Sequence, residues 1–235
     1  MFDFSEQVVL VTGAGGNLGS AVANAFRAAG ARLALIDRQP DNVHAIFGDD
    51  SPDRLILSAD LTNTDSVHQM VEQVLAHFGQ LDVVANTVGG YRAGTPVHET
   101  PLETWDFMLN LNAKTAFLLA QHVIPPMLER GHGKIINVAA RAGLSGGANM
   151  SAYSIAKSAV IRLTESLSAE YKTKGININC ILPGTIDTPQ NRAEMPTGKV
   201  DRWVQPEALA DVILFLASDA ARAVHGAAVP VYGLS

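Results

Sequence analysis

The sequence predicts one α/β domain with a doubly wound parallel sheet, and two features of the pattern support this class. Short apolar runs rich in branched residues recur along the chain, and longer segments with helical periodicity separate them. Strands that are buried on both faces have this continuous apolar character. Regular alternation of strands with helices is typical of parallel sheets joined by helical crossovers.

The apolar runs and the periodic segments give the order of the elements. Strands are expected at residues 8–11, 33–36, 55–57, 83–85, 135–138, 178–182 and 228–231. Helices are expected at residues 18–29, 65–78, 105–128, 152–171 and 206–216. Pro206 suits the first position of the last helix, because no backbone N–H is needed there. Residues 1–235 are therefore expected to form a single Rossmann-type domain.

Composition restricts the class of function. The chain has 235 residues, enough for one large domain with a substantial core. Its hydrophobic fraction of 47% and charged fraction of 17% are typical of a soluble globular protein. A nucleic-acid partner is not expected, because the net charge is −6 and phosphate recognition needs a basic face.

The compartment follows from three further observations. Cys180 is the only cysteine, so no internal disulfide can form and a reducing environment is expected. Asp3 and Glu6 stand where a signal peptide would carry positive charge. No stretch reaches the ~18 consecutive apolar residues that a membrane span needs. We expect a cytoplasmic protein with no membrane partner.

Three loops are candidates for the ligand site. In a doubly wound sheet, ligands bind at the carboxyl ends of the strands. The loops expected there are residues 12–19, 86–94 and 183–204. The third is long for a compact domain, which favours a loop that covers the substrate, at about residues 184–205.

The first loop is rich in glycine and lies between a strand and a helix. It reads Thr12-Gly13-Ala14-Gly15-Gly16-Asn17-Leu18-Gly19. Gly13 would permit a sharp turn, while Gly15 and Gly16 would let the backbone approach a pyrophosphate. Gly19 would let the helix pack closely on the sheet, with its N-terminal N–H groups directed at the anion. This pattern predicts a dinucleotide site.

Two acidic positions follow the next two strands. Asp37 lies 18 positions beyond Gly19, where a carboxylate can accept hydrogen bonds from the adenosine ribose. Asp37 would repel a 2′-phosphate, whereas the neighbouring Arg38 could bind one, and NAD(H) is favoured over NADP(H). Asp60 and Leu61 could meet the adenine, or Asp60 could cap the helix that is expected to start near Thr62.

Tyr153 and Lys157 form the second motif. Four residues apart on a helix, they share one face. A phenol ionises only near pH ~10 when unperturbed. A nearby ammonium stabilises the phenolate, which makes Tyr153 a better carrier of protons at neutral pH. The spacing by itself is common on surface helices. Its position after the strand at residues 135–138, in a chain with a dinucleotide motif, favours a catalytic pair.

The motifs occur together in a known family. The sequence resembles the short-chain dehydrogenases/reductases over essentially its whole length. The matching stretches are Thr12-Gly13…Gly19, Asp60-Leu61, Asn112, Tyr153…Lys157, Pro183-Gly184 and Thr188. The resemblance implies an NAD(P)-dependent oxidoreductase that transfers hydride between the nicotinamide and a small carbonyl, alcohol or quinonoid (imine-like) substrate.

The resemblance also implies a role for each matching residue. Tyr153 would exchange a proton with the substrate oxygen, and Lys157 would hold the nicotinamide ribose and lower the pKa of Tyr153. Asn112 would kink its helix and support a water that relays protons to Lys157. The remaining cofactor contacts would be Pro183, Gly184, Ile186 and Thr188 at the nicotinamide end, and Asn86 and Gly89 along the adenosine half.

Four positions depart from the family pattern. Asn17 replaces the third glycine of the turn, Thr87-Val88 replaces Asn-Ala before Gly89, and residues 231–233 read Val-Tyr-Gly. Ala140 stands thirteen positions before Tyr153, where the family has a catalytic serine. Alanine cannot donate a hydrogen bond to the substrate oxygen, and losing one such donor costs ~3 kcal/mol of transition-state stabilisation. Ser145 and Arg141 are candidate replacements, or ordinary loop residues.

Dihydropteridine reductases resemble this family without the serine. They keep the Tyr-x-x-x-Lys pair and share a segment similar to residues 187–207. Their quinonoid dihydropterin leaves no alkoxide on reduction, so a missing serine is chemically tolerable. This chain nonetheless keeps Asn112 and, at residues 215–221, a segment typical of the wider family. The similarity indicates a subgroup and does not assign a substrate.

A second class of function is a catalytically weak dinucleotide-binding sensor or scaffold. Ala140 favours it, and the intact Tyr153–Lys157 pair with Asn112 argues against it. A metal site is not expected, because the seven histidines show no ligand-like spacing.

Substrate shape would depend on Tyr91, Arg92, Asn149, Met150 and residues 190–204. The long helices at 105–128 and 152–171 resemble those that pair subunits in this family, so a homotetramer or homodimer is expected.

Overall fold

The computed structural model describes residues 2–234, which are built around one seven-stranded parallel sheet with the order β3-β2-β1-β4-β5-β6-β7. The strands are β1 Val8–Thr12, β2 Arg32–Asp37, β3 Arg54–Ser58, β4 Val83–Asn86, β5 Gly133–Val138, β6 Ile176–Pro183 and β7 Ala228–Val231. All seven strands expected from the sequence are present. The order reverses between β1 and β4, which is where a doubly wound sheet opens a crevice.

Eight α-helices cover the two faces of the sheet. They are α1 Asn17–Ala28, α2 Pro40–Phe47, α3 Thr64–Phe78, α4 Leu102–Met108, α5 Thr115–Arg130, α6 Ser151–Tyr171, α7 Pro189–Glu194 and α8 Pro206–Ala217. Buried side chains of α1, α2 and α8 pack on one face of the sheet, and those of α3 and α5 on the other. Part of α6 packs with α5 against β6.

The alternation of side chains in β1 shows how one apolar run serves both layers. Val9 and Val11 belong to the core under α1 and α8, whereas Val8 and Leu10 belong to the core under α3 and α5. Successive strand residues point to opposite faces, so a strand covered on both sides must be apolar throughout. The doubly wound Rossmann-type architecture predicted from the sequence is confirmed.

Two short helices were not expected from the sequence. The first is α2, which begins at Pro40 and buries only Val43 and Phe47. The second is α7, which lies in the segment expected to be a loop at residues 183–204 and has no buried residue. Helical periodicity requires an apolar face over several turns, and neither segment is long enough to show one.

The helix expected at residues 105–128 is present as a continuous helical run, but it is not α-helical throughout. Helix α4 ends at Met108, a π-helical segment follows at Leu109–Lys114, and α5 begins at Thr115. Within this segment the Asn112 Nδ2 donates a hydrogen bond of 3.0 Å to the Met108 carbonyl. A side chain inserted into the backbone ladder is a recognised cause of such a bulge. At Asn112, where the family resemblance implied a kink, the helix has π rather than α geometry.

The start of α3 differs by two residues from the expected position near Thr62. The helix begins at Thr64, and Asn63 caps it by accepting hydrogen bonds from the N–H groups of Asp65 and Ser66. An asparagine at this position satisfies backbone donors that no helical carbonyl can reach.

Candidate active site

A cavity of about 1100 Å³ opens at the carboxyl ends of β1, β4, β5 and β6. Eleven of the residues predicted to be functional line it: Gly13, Gly16, Asn17, Leu18, Gly89, Tyr153, Lys157, Pro183, Gly184, Ile186 and Thr188. Seven others lie outside its lining: Gly15, Asp37, Arg38, Asp60, Leu61, Asn86 and Asn112. The sequence therefore locates the cavity, and several of the remaining residues support its walls.

The glycine turn is tightly packed against the start of α1. Gly13 has a φ of +66°, a conformation that favours glycine, and its carbonyl accepts a hydrogen bond from the N–H of Gly16 at 3.0 Å. A Cβ on Gly19 would lie 2.0 Å from the Gly13 oxygen. No side chain caps the N-terminus of α1, which therefore faces the cavity with its backbone N–H groups. This cradle fits a pyrophosphate.

Asp37 is fixed at the end of β2, next to the glycine turn. Its Oδ2 accepts a hydrogen bond from the Gly15 N–H at 3.0 Å, and its Oδ1 accepts one from the Gln39 N–H at 3.0 Å. Each carboxylate oxygen can accept a further hydrogen bond. The side chain is thus held rigidly and retains acceptor capacity beside the turn, whereas Arg38 is exposed.

Asp60 and Leu61 have local structural roles. The Asp60 carboxylate accepts hydrogen bonds from the Thr62 N–H and hydroxyl at 2.9 and 2.7 Å, and these bonds hold the pKa of Asp60 below its usual range. Leu61 is buried in the core under α3. The suggestion that Asp60 caps a helix is wrong, since Asn63 is the cap of α3.

The side chain of Asn86 bonds side chains of the two neighbouring strands. It begins a chain of hydrogen bonds that sequence reasoning missed. Its Oδ1 accepts from the Thr12 hydroxyl at 3.0 Å, and its Nδ2 donates to Asn137 Oδ1 at 3.1 Å. Asn137 Nδ2 in turn donates to the Thr164 hydroxyl at 3.1 Å, which links β1, β4 and β5 to α6. The signal was Asn137, an amide within an apolar strand, since a buried polar group requires partners.

Tyr153 and Lys157 lie together at the floor of the cavity, on the first two turns of α6. Burial raises the pKa of Tyr153 to about 12, and the nearby Tyr91 phenol adds to this increase. Burial lowers the pKa of Lys157 to about 8. Both shifts have the sign expected when a charged form is removed from water. The Tyr153 pKa is therefore raised, in the direction opposite to the lowering by Lys157 that the resemblance implied. Around neutral pH the site therefore holds a neutral phenol and a largely protonated ammonium.

Because residue 89 is a glycine, Lys157 and Asn112 can both lie close to the backbone of the loop after β4. The Lys157 ammonium donates to the Val138 carbonyl at 2.9 Å. A Cβ on Gly89 would lie 2.9 Å from both Lys157 Nζ and Asn112 Oδ1. Asn112 itself is buried and exchanges two hydrogen bonds of 3.2 Å with the backbone of Gly90. The π-helical segment thus holds the loop after β4 against the cavity floor.

The far wall of the cavity is formed by the segment after β6. Gly184 is held to β7 through a hydrogen bond from its N–H to the Val231 carbonyl at 3.1 Å. Thr188 caps α7 by accepting from the Asn191 N–H at 3.1 Å. The base of the segment is pinned where the Asp187 N–H donates to the Val204 carbonyl at 2.8 Å. A short rigid arm thus presents α7 over the cavity.

The Asp187 carboxylate fixes this arm. It accepts two hydrogen bonds from the Arg192 guanidinium, at 2.6 and 2.8 Å, and one from Gln205 Nε2 at 2.7 Å. These donors lower the pKa of Asp187 to about 2. A paired, planar guanidinium–carboxylate contact of this kind sets direction as well as attraction.

Ala140 is buried in extended backbone just after β5, and no hydroxyl stands in its place. The two candidate replacements, Ser145 and Arg141, both line the cavity and are exposed. Arg141 lies over the ring of Tyr232 at 5.2 Å. A contact with Tyr153 is made instead by Tyr91, whose ring meets it edge-on at 4.8 Å. Sequence reasoning named Tyr91 only for substrate shape.

Two absences concern the part of the chain described, residues 2–234. It contains no cluster of three or more histidine, cysteine or acidic side chains placed to hold a metal ion. None of its helices is long and apolar enough to cross a membrane.

The parallel sheet, the glycine turn at its switch point and the Tyr153–Lys157 pair at one cavity are the features of a Rossmann-type dehydrogenase fold. A family model described as short chain dehydrogenase matches residues 7–198. The chain belongs to the short-chain dehydrogenase family and is an oxidoreductase of that type.

Named relatives span nearly the whole chain. A cis-4-hydroxycyclohexanecarboxylate dehydrogenase of Sinomonas cyclohexanicum is 35% identical, over 98% of this chain and 96% of the relative. A D-threitol dehydrogenase of Mycolicibacterium smegmatis is 33% identical, over 99% and 94%. The solved structure of a short-chain type dehydrogenase/reductase from Mycobacterium ulcerans superposes with a TM-score of 0.92 at 27% identity, over 99% of this chain and 90% of that one.

Proposed function

We propose that the protein is an NAD(H)-dependent oxidoreductase that interconverts a small alcohol and its carbonyl compound, with Tyr153 as the acid–base group. The observation that carries the proposal is the burial of Tyr153 and Lys157 together at the floor of a cavity whose other end is a glycine cradle. When bound, the cofactor supplies or accepts the hydride, and the protein supplies the proton.

Tyr153 is suited to donate a proton in the direction of reduction. With its pKa near 12 the phenol is protonated throughout the physiological range. As negative charge develops on the substrate oxygen, the proton passes from the phenol to that oxygen, and the ammonium of Lys157 stabilises the phenolate left behind. In the direction of oxidation the phenolate takes the proton from the alcohol.

Lys157 and Asn112 organise the centre. The Val138 carbonyl uses one of the three ammonium donors of Lys157, leaving two for a ribose hydroxyl and a proton-relay water. Asn112 donates to the Gly90 and Met108 carbonyls and accepts from the Gly90 N–H, so it holds the loop and the π-helical segment in position, and its Oδ1 keeps a second lone pair for the relay water. Gly184 gives the nicotinamide end room to approach the backbone, and Gly89 gives the same room beside the adenosine half.

Asp37 supports a preference for NADH over NADPH. Its carboxylate stays beside the glycine turn because two backbone N–H groups hold it. It can accept hydrogen bonds from ribose hydroxyls, whereas a 2′-phosphate there would meet like charge. We expect kcat/KM for NADH to exceed that for NADPH by at least ~10-fold, which is 1.4 kcal/mol. A preference for NADPH, measured by initial rates, would refute this assignment.

Two observations bear on the class of substrate, and they favour different compounds. Two relatives are named for the dehydrogenation of hydroxy compounds, which supports a carbonyl–alcohol pair. Ala140 supports the alternative, a quinonoid (imine-like) compound, because reduction of such a compound leaves no alkoxide to stabilise.

The test is NADH oxidation with panels of carbonyl and quinonoid pterin compounds, comparing the wild type with Tyr153→Phe. Loss of the hydroxyl should lower turnover by about 10²–10⁴-fold while NADH binding, followed by its fluorescence, is retained. Turnover that survives the substitution would exclude Tyr153 as the acid.

A second candidate is a dinucleotide-binding sensor or scaffold, favoured by the missing hydroxyl at Ala140. The same experiment separates the two. NADH binding with no turnover on any member of either panel would support the sensor and contradict the enzyme.

A further inference from the structure

The cavity carries positive charge in an acidic protein. The chain has 23 acidic and 17 basic residues, for a net charge of −6. Yet the charged residues that line the cavity are Arg92, Arg141 and Lys157 against Glu194 alone. A cleft lined by one sign of charge concentrates ligands of the opposite sign. Glu194 is also already engaged, since it accepts a hydrogen bond from Gln190 at 2.8 Å.

Arg92 is the cation that the rest of the site does not use. Its guanidinium carbon lies 4.3 Å from the centroid of the Phe107 ring, and both side chains line the cavity. Stacking on a ring leaves the edge N–H groups of a guanidinium free to donate. Within residues 2–234, no carboxylate lies within ion-pair distance of Arg92.

The loop that carries Arg92 is fixed at both ends. Gly90 is held by the two hydrogen bonds with Asn112. Gly94 donates its N–H to the Asn149 carbonyl at 2.8 Å, and Asn149 has a φ of +60°. Asparagine adopts this left-handed conformation more readily than other non-glycine residues, so the contact is made without much strain. The two attachments fix the backbone of the loop, and the Phe107 ring supports the guanidinium.

The same loop brings Arg92 to the end of the cavity that holds Tyr153. Tyr91, the residue before Arg92, packs the edge of its ring against Tyr153 at 4.8 Å. The phosphate cradle lies at the other end of the cavity, at Gly13 and Gly16. Arg92 is thus in the half of the cavity that receives the substrate.

We propose that Arg92 binds a carboxylate on the substrate, so that the protein acts on hydroxy or oxo acids rather than on neutral alcohols and ketones. This inference rests on the proposed oxidoreductase function. The guanidinium offers two parallel N–H groups that match the two oxygens of a carboxylate. Fixing the charged end in this way orients the carbonyl carbon of the same molecule towards Tyr153.

The test uses pairs of ketones that differ only in charge: para-acetylbenzoate with para-acetylbenzamide, and meta-acetylbenzoate with meta-acetylbenzamide. Each is titrated calorimetrically into the NAD⁺-loaded protein, where no hydride can be transferred to a ketone. The acid should bind about tenfold more tightly than its amide, the range of one charge-assisted contact. The ratio should fall in roughly 0.5 M salt, because Arg92 is exposed.

Three variants make the assignment specific. Arg92→Gln should remove the preference for the acid and leave binding of the amide unchanged, while Arg92→Lys should retain part of it. Arg222→Gln is the matched control, since Arg222 is exposed on another part of the surface and hydrogen-bonds only the Asp219 carbonyl. It should change neither affinity.

The outcomes for the inference and for the proposed function are separable. If neither acid binds more tightly than its amide, or if Arg92→Gln leaves the ratio unchanged, Arg92 is not the carboxylate site. NADH oxidation by the same ketones is measured in parallel. An intact, Arg92-dependent preference without any NADH oxidation would overturn the enzyme and leave the binding site standing.

Discussion

The ammonium of Lys157 is buried without a carboxylate partner within the described residues, and this burial disfavours its charged form. The folded protein holds that proton with a pKa of about 8, whereas an unfolded chain holds it near ~10.4. Below pH 8 the burial therefore costs stability, and the cost is relieved as the pH rises towards the unfolded value. Function, not folding, accounts for a charged group at this position.

Stability should therefore depend on pH through Lys157. Between pH 7.5 and 9.5 the unfolded chain binds more protons, so the free energy of unfolding of the cofactor-free wild type should rise by about 2 kcal/mol relative to Lys157→Met. Urea denaturation at several pH values measures this difference. Lys172→Met, an exposed control, should keep the wild-type slope. Parallel curves for wild type and Lys157→Met would refute the prediction.

Gly19 tests the glycine turn. An alanine there would place its Cβ 2.0 Å from the Gly13 carbonyl oxygen and 2.9 Å from the Thr87 hydroxyl, and the backbone of Gly13 has little room to adjust. Gly19→Ala should destabilise the protein by about 1–3 kcal/mol and weaken NADH binding. Gly146→Ala is the control for stability, because nothing lies within 4 Å of its Cβ. Equal denaturation midpoints for the two variants would contradict the packing argument.

At the scale of elements, α7 is a short helix that hydrogen bonds hold in position. It buries no residue of its own, so packing does not hold it over the cavity. Asn191 bonds the segment before the helix, and the Asp187 carboxylate joins Arg192 of α7 to Gln205 at the start of α8. Such an element can be displaced without loss of the core, as expected for a segment that covers a substrate.

Removing this carboxylate should free α7. Asp187→Asn is expected to raise KM for the substrate and to speed limited proteolysis within residues 189–199, with little change in the denaturation midpoint. Arg192→Gln should have the same effects in weaker form, because Asp187 also holds Gln205, and the double variant should add little to Asp187→Asn. Since the pKa of Asp187 is about 2, the contact should persist down to about pH 3. Additive effects would show that the two residues act separately.

The π-helical segment lets one side chain, that of Asn112, bond both its own helix and the loop after β4. A continuous helix would commit the Met108 carbonyl to the backbone N–H of Asn112. In the observed segment the Asn112 side chain occupies that carbonyl and also grips Gly90. One amide therefore both widens its own helix and fixes the loop that carries Tyr91 and Arg92.

At the scale of the whole molecule, α5 and α6 keep apolar side chains exposed. Phe117 on α5 is 53% exposed and Ile155 on α6 is 45% exposed. Such side chains on neighbouring helices are consistent with the homodimer or homotetramer proposed from the family resemblance, although exposed apolar residues also occur singly.

Assembly should therefore depend on these two helices. Sedimentation equilibrium should give a mass about two or four times the 24.9 kDa of one chain. Phe117→Glu should shift the protein towards the monomer, because a charge would be buried in the contact. Val97→Glu, a control at an apolar residue that is 70% exposed outside these helices, should not. A monomeric wild type would refute the proposal.

The sequence by itself determined the parallel sheet, its strands and the identity of the glycine turn and the Tyr153–Lys157 pair. These features depend on periodicity and on residues near one another in the chain, which is information that a sequence contains directly. It placed neither α2 nor α7, because elements with little buried surface leave no apolar pattern.

Only the tertiary structure decided which polar groups meet across the fold. In it, Asn86 bonds Asn137 of the neighbouring strand, Asp60 bonds Thr62, and Asn112 bonds Gly90. It also set Tyr91 against Tyr153 and left Arg92 facing the cavity. The physical reason is that hydrogen bonds and burial depend on distances between residues far apart in the chain, which no local pattern encodes.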